Sequence, residues 1–142
     1  MSITILIVDD DAGHRELVRR NLKRSGLINP ILTLSEGQEA LDFVFRRGVH
    51  ANRAEAELLI LLDINMPGIN GVEVLRQIKA DPVKKKIPIL MLTTTDDPRE
   101  VAQCYELGCS VYVTKPVDPA EFMEAVKRMG LFLSIVKVPE ES

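Results

Sequence analysis

The most apolar stretch of the chain, residues 58–62, contains five aliphatic side chains in a row and leaves no polar face. A run this short and this apolar is typical of a central strand in a parallel sheet that helices cover on both faces. The run ends at Asp63, and Pro67 and Gly68 predict a turn soon afterwards. We therefore expect the Asp63 carboxylate at the carboxyl end of a buried strand, where open α/β sheets bind their ligands.

The rest of the chain alternates between short apolar runs and segments with helical periodicity. In the second helix, Ser35 is predicted as the N-cap with Gln38 as its capping-box partner, and residues 46–57 are predicted as a long exposed loop. Gly108 is predicted to end the fourth helix. The predicted strands cover residues 3–8, 31–34, 58–62, 87–92 and 111–113. Five strands alternating with five helices predict an α/β fold, a three-layer, doubly wound parallel sheet with helices on both faces.

Composition narrows the classes of function. The 142 residues are ordinary for one globular domain, and the net charge of −3 provides no basic field for nucleic acid. No apolar run approaches the roughly 20 residues that cross a bilayer, and the first residues do not resemble a signal peptide. Cys104 and Cys109 are predicted to be small buried side chains in a reduced, cytoplasmic protein. We expect neither nucleic acid nor membrane as a partner.

Four of the predicted strands end in a charged or reactive polar group. The first strand leads into Asp9 and Asp10, the third into Asp63, the fourth into Thr93 and the fifth into Lys115. Each residue alone has an ordinary explanation as a helix cap, a turn residue or a surface lysine. Because the carboxyl ends of parallel strands meet at one edge of the sheet, we expect all five side chains to form one site.

Three neighbouring carboxylates repel one another unless a cation lies among them. An all-oxygen site that retains water suits Mg²⁺, for which Asp10, Asp63 and the backbone carbonyl of Asn65 are the predicted ligands, with Asp9 acting through a water molecule. Beside such a metal, Asp63 is the best candidate for a nucleophile toward a phosphoryl group, because its strand is the most central. The Lys115 ammonium and the Thr93 hydroxyl are then expected to contact phosphoryl oxygens.

Four segments of the chain resemble the motifs of two-component response-regulator receiver domains, in the same order. They are Val8-Asp9-Asp10, Asp63-Ile64-Asn65-Met66-Pro67-Gly68, Met91-Leu92-Thr93 and Tyr112-Val113-Thr114-Lys115-Pro116. The resemblance implies a flavodoxin-like fold with strand order 2-1-3-4-5. It also implies Mg²⁺-dependent phosphorylation of Asp63, with the phosphoryl group coming from a histidine kinase or a histidine phosphotransfer protein. The chain is then not a turnover enzyme, although it promotes its own phosphorylation and dephosphorylation.

The same resemblance implies a conformational switch. Phosphorylation is expected to draw the Thr93 hydroxyl toward the phosphoryl group and to turn Tyr112 inward. The face formed by the fourth helix, the fifth strand and the fifth helix then changes its protein contacts. Thr94 departs from the family pattern, in which a smaller residue often stands at this position, and its bulk is expected to affect access to Asp63.

Residues 1–130 are predicted to form the receiver domain, and residues 131–142 a C-terminal extension of the fifth helix. The apolar residues of this extension have two faces, so it packs either on its own domain or on a second subunit. Together with the 46–57 loop and Leu92-Thr93-Thr94-Thr95, it resembles the small single-domain regulators that pair with phytochrome-type histidine kinases. This narrower resemblance implies a homodimer through the fourth helix, fifth strand and fifth helix.

Other functions fit the residues less well. A phosphatase with an aspartate nucleophile needs a second acid two residues later, and Asn65 stands there. Zinc is disfavoured because His14 and His50 lie far apart in the sequence, and neither is expected to be more than a surface or locally bonded side chain. An interaction module that works without phosphorylation remains an alternative on the same fold.

Overall fold

The structure is a computed structural model that describes residues 3–24, 26–93, 97–115 and 119–128. The strands are β1 (Thr4–Val8), β2 (Ile31–Leu34), β3 (Leu58–Asp63), β4 (Ile89–Thr93) and β5 (Val111–Thr114). The helices are α1 (Ala12–Arg24), α2 (Gly37–Val44), α3 (Gly71–Ala80), α4 (Pro98–Leu107) and α5 (Pro119–Arg128). Short 3-10 helices cover Gly48–His50 and Lys84–Lys86.

All five strands run parallel, in the order β2-β1-β3-β4-β5. The central strand is β3, and each of its six residues is buried, as its uninterrupted apolar sequence predicts. The α/β fold and the strand order implied by the resemblance are both confirmed.

The sheet separates two hydrophobic cores. Successive strand residues point to opposite faces, so Leu59 and Leu61 pack in one core with residues of α1 and α5. Ile60 and Leu62 pack in the other, with residues of α2, α3 and α4. Because both faces are covered in this way, a polar group at a strand end is directed to the edge of the sheet.

The burial predicted for both cysteines is confirmed. Cys104 and Cys109 are free and buried. Burial raises the pKa of the Cys104 thiol to about 11 and that of Cys109 to about 12, so neither is a reactive thiolate.

The start of α2 differs from the prediction. Its N-cap is Glu36, which makes no side-chain cap, so the assignment of Ser35 was wrong. A Cβ atom on Gly37 would collide with the backbone carbonyl of Ile69. Close packing of the helix start against the β3–α3 loop therefore positions α2, in place of a capping hydrogen bond.

Residues 46–57 are mostly exposed, as expected, but Arg53 of this segment contacts α2. The Arg53 guanidinium lies 4.3 Å from the centre of the Phe43 ring, and its Nε donates to the Phe43 carbonyl at 2.7 Å. Arg53 therefore caps the C-terminal end of α2, where backbone carbonyls lack helical partners.

Some predictions fall on residues that the structure leaves undescribed. The predicted extension of residues 131–142 and the effect of Thr94 lie outside the described residues. Within the described ranges, no helix is both long and apolar enough to span a bilayer.

Candidate functional site

The strand order brings the predicted site residues to one edge of the sheet. Asp9 directly follows β1, Asp63 ends β3, Thr93 ends β4 and Lys115 directly follows β5. The backbone N–H of Lys115 donates to the carbonyl of Thr93 at 2.7 Å, which continues the β4–β5 pairing to this edge. The sheet itself therefore sets the spacing of these side chains.

The Lys115 ammonium joins two carboxylates. Its Nζ atom lies 2.7 Å from Oδ2 of Asp9 and 3.1 Å from Oδ1 of Asp63. Asp9 is 1% exposed and Asp63 is 3% exposed, so these charges interact at the floor of the site with little screening by solvent. A lysine at the end of one strand thus holds acids from the ends of two others.

The acids retain an excess of negative charge. Burial, assisted by the charge of Asp9, raises the pKa of Asp63 to about 6, even though Lys115 acts in the opposite direction. Burial alone would lower the pKa of Lys115, but its hydrogen bonds to Asp9 and Asp63 outweigh that effect and the pKa is raised. The ammonium therefore stays charged, and it neutralises only part of the acidic cluster.

The arrangement of the acids suits a hard cation. Carboxylate oxygens of Asp9, Asp10 and Asp63 all lie within 4.8 Å of one another, and Asp10 is the exposed member. Asn65 follows in the β3–α3 loop, and the backbone N–H of Gly71 donates to the Ile64 carbonyl at 2.9 Å, which closes this loop. Oxygen ligands with one side open to water fit Mg²⁺ or Mn²⁺ better than zinc.

The second part of the site links β4 and β5 to α4. Thr93 is completely buried, and Tyr112 is partly buried against the core on the same face of the sheet as α4. The Tyr112 hydroxyl donates to Oε1 of Glu100 at 3.2 Å and also hydrogen-bonds with Thr93. Burial raises the pKa of Tyr112 to about 12, so the phenol remains a donor. The backbone N–H of Tyr112 donates to the Tyr105 hydroxyl at 3.2 Å.

Some residues of the site were not expected from the sequence. His14 Nδ1 lies 3.2 Å from Lys115 Nζ, although this histidine was expected to be only a surface or locally bonded side chain. Arg15 also reaches the site, where its Nη1 donates to the Asp9 carbonyl at 2.7 Å. Glu100 and Tyr105, which contact Tyr112, were also missed. Position in the sequence could have indicated two of them, because His14 and Arg15 lie in the first turns of the helix that follows Asp9.

Comparison with known proteins agrees with this geometry. The sequence matches the response regulator receiver domain family over residues 5–127. The chain belongs to this family. Response regulator Rcp1 of Synechocystis sp. is 35% identical over 136 residues, which cover 95% of this chain and 92% of Rcp1. A receiver domain implies a kinase or phosphotransfer partner within a two-component system.

Solved structures of phytochrome-associated regulators are also similar to this receiver. The bacteriophytochrome response regulator RtBRR is 37% identical with a TM-score of 0.86, covering 99% of this chain and 85% of RtBRR. The phosphorylated cyanobacterial phytochrome response regulator RcpA is 30% identical with a TM-score of 0.79, covering 94% of this chain and 96% of RcpA. The Mn²⁺-bound form of Rcp1 is 33% identical with a TM-score of 0.77, covering 97% of this chain and 99% of that chain.

Proposed function

We propose that this receiver is a phosphoacceptor switch in a two-component phosphorelay, and that Asp63 accepts the phosphoryl group. The principal support is the buried Asp63 carboxylate at the end of the central strand, with Lys115 at 3.1 Å and two further acids beside it. The donor is a histidine kinase or a histidine phosphotransfer protein. Similarity to RtBRR, RcpA and Rcp1 favours a phytochrome-type kinase.

The transfer is a displacement at phosphorus. A carboxylate oxygen of Asp63 forms the new bond to phosphorus, and the bond between phosphorus and the donor's histidine nitrogen breaks. The electron pair of that bond remains on the imidazole, which then takes a proton. Lys115 and the Thr93 hydroxyl interact with the phosphoryl oxygens as negative charge builds up there. Because the phosphoryl group ends on the protein itself, the chain is not a turnover enzyme.

Mg²⁺ is the metal that we propose for the acidic cluster. Asp10, Asp63 and the backbone carbonyl of Asn65 would hold it, with Asp9 acting through a water molecule. The clustered carboxylate oxygens and the exposed position of Asp10 support this ligand set, as does a similar regulator solved with Mn²⁺. The metal supplies positive charge that lets the acids remain ionised while a phosphoryl group approaches.

The output of the switch is a change in protein contacts at α4, β5 and α5. Tyr112 supports this proposal because its hydroxyl interacts with both Thr93 at the site and Glu100 on α4. A shift of Thr93 toward a phosphoryl group would alter those hydrogen bonds and thus the position of α4. Tyr112 therefore connects the chemical site to the surface.

Assembly and cellular location complete the proposal. We place residues 1–130 in the receiver domain and residues 131–142 in an extension of α5 that packs on a second subunit. The resulting homodimer uses the face formed by α4, β5 and α5. We expect it in the cytoplasm, bound neither to nucleic acid nor to a membrane.

Intact-mass measurement after incubation with acetyl phosphate tests the proposal. The native chain should gain one phosphoryl group, and only when Mg²⁺ is present. Asp63→Asn should gain none. Glu57→Gln is the control, because Glu57 is an exposed acid that precedes β3 at the end opposite Asp63, and this variant should react like the native chain.

The other outcomes of that measurement separate the alternatives. Absence of an adduct on the native chain would contradict the proposal and favour an interaction module that works without phosphorylation. An adduct that persists in Asp63→Asn would assign the acceptor to another residue. A phosphatase would be indicated by a separate assay in which the chain continuously releases phosphate from a phosphate ester.

A further inference from the structure

His14 lies beside the lysine of the proposed site. It is in the first turn of α1, and its Nδ1 atom is 3.2 Å from Lys115 Nζ. The same Nζ atom lies 2.7 Å from Asp9 and 3.1 Å from Asp63. The ammonium is therefore contacted from the residue after β1, from the end of β3 and from α1.

The chemistry of this contact determines the state of the ring. A lysine ammonium has three N–H donors and no acceptor, so an atom at hydrogen-bond distance from it must offer a lone pair. Donation from Lys115 therefore requires Nδ1 of His14 to be the unprotonated nitrogen, with the hydrogen on Nε2. Two carboxylates and one imidazole among the described residues match the three N–H groups of the ammonium, which sets its orientation.

The first turn of α1 holds His14 in place. The backbone N–H of His14 donates to Oδ1 of Asp11 at 3.1 Å, and the backbone N–H of Asp11 donates to Oδ1 of Asp9 at 2.9 Å. Arg15 adds a third tie, from its guanidinium to the Asp9 carbonyl at 2.7 Å. The imidazole is 41% exposed, yet the backbone of His14 is hydrogen-bonded to Asp11, whose own backbone is hydrogen-bonded to Asp9.

We propose that His14 is a positioning residue for Lys115, and this proposal rests on the function proposed above. Of the three acceptors of the ammonium, Asp63 must turn its carboxylate to the phosphorus during transfer. His14 and Asp9 then remain to keep the ammonium at the phosphoryl oxygens. Without His14, Asp9 is the remaining fixed partner, and Lys115 is less ordered at the moment of transfer.

The rate of phosphoryl uptake from acetyl phosphate, at saturating Mg²⁺, tests this role. His14→Leu should slow uptake by about three- to tenfold, as expected for the loss of one hydrogen bond of ordinary net strength at a partly exposed side chain. His14→Asn should restore most of the rate, because the amide Oδ1 can stand where Nδ1 stands and accept the same N–H. Arg20→Gln, an exposed change on α1, is the control and should leave the rate unchanged.

These rates discriminate between a positioning role and a merely structural one. Equal rates for His14→Leu and the native chain would overturn the proposal and leave the proposed function intact. Equal slowing in His14→Leu and His14→Asn would also overturn it, because restoring the acceptor would then have no effect. Failure of the native chain to react would contradict the proposed function, and this inference with it.

The ring tautomer provides a readout that does not depend on phosphorylation. In ¹⁵N-labelled protein at about pH 8, above the ordinary pKa of histidine, the His14 signals should show a hydrogen on Nε2 and none on Nδ1. Lys115→Met should shift His14 toward a mixture of tautomers, because the donor that selects the Nδ1 lone pair is then absent. A hydrogen on Nδ1 in the native chain would contradict the proposal.

Discussion

Helices α3 and α4 cover the same face of the sheet, but they are held there in different ways. α3 buries Val74, Leu75 and Ile78 completely in the core. Among the residues that the structure describes, α4 buries only Cys104. The apolar contribution to holding each helix therefore differs several-fold, since a buried aliphatic side chain contributes about 1.5–3 kcal/mol.

Polar contacts to β5 replace part of the missing burial on α4. Glu100 accepts from the Tyr112 hydroxyl, and Tyr105 accepts from the Tyr112 backbone N–H, each at 3.2 Å. Such a hydrogen bond contributes about 0.5–1.5 kcal/mol and is exchanged more easily than a packed side chain. The region that positions Asp63 is therefore held by closed apolar packing, whereas the region that responds to its state depends on a few hydrogen bonds of one tyrosine.

Truncation of aliphatic side chains in the two helices should change the free energy of unfolding most. Ile78→Ala in α3 should lower the free energy of unfolding by about 2–5 kcal/mol, because it leaves a cavity in a closed core. Leu107→Ala in α4 should cost less than half as much, because Leu107 is only partly buried. Urea denaturation of both variants measures the difference, and equal costs would contradict the distinction between the helices.

The next largest effect is the pH dependence of stability that comes from the charge of Asp63. The pKa of Asp63 is about 6 in the folded chain, against an ordinary value of 3.8, so folding favours the protonated carboxyl group. Its contribution to the free energy of unfolding is therefore fully present below pH 3.8 and is lost as the pH rises through about 6. Asp63→Asn removes the cost of burying this negative charge at high pH. In the absence of metal, the variant should be more stable than the native chain by about 1–3 kcal/mol at about pH 8.

The pH profile and the metal separate this explanation from a general effect of the substitution. The advantage of Asp63→Asn should shrink as pH falls through about 6, because the native carboxylate then takes up a proton. Saturating Mg²⁺ should reverse it by stabilising the native chain more than the variant. Thermal unfolding over this pH range checks both points, and an advantage that is constant with pH would contradict the account.

The smallest effect lies at the contact between α4 and β5. Tyr105→Phe removes the acceptor of the Tyr112 backbone N–H, and hydrogen exchange of that amide should become about two- to tenfold faster. Glu106→Gln, a change on the exposed side of the same helix, should not affect it. Unchanged exchange in Tyr105→Phe would mean that the phenol does not protect this strand.

Most of the fold and the centre of the site can be predicted from short-range pattern. The apolar run before Asp63 identifies the central strand, and Gly108, at a φ of 105°, ends α4 where predicted. The rule that parallel strands end at one edge then brings Asp63 and Lys115 together without knowledge of side-chain geometry. These predictions succeed because they depend on backbone direction and on period.

The contacts that escaped prediction depend on how far a long or planar side chain reaches. Arg53 caps α2 from ten residues away in sequence, and His14 meets a lysine that lies 101 residues further along the chain. Ser35 was misassigned because a local capping preference was overridden by the close approach of Gly37 to the β3–α3 loop. The local sequence pattern does not indicate how far a side chain reaches or how closely two backbone segments approach.

We expect α4 and β5 to respond to the state of Asp63 while α3 remains fixed. Backbone amide NMR spectra with and without beryllofluoride and Mg²⁺, which together stand in for the phosphoryl group, test it most directly. The largest shifts outside the site should occur in β5 and α4, with small shifts in α3 and no response in Asp63→Asn. Shifts in α3 as large as those in α4, or a response that persists in Asp63→Asn, would contradict it.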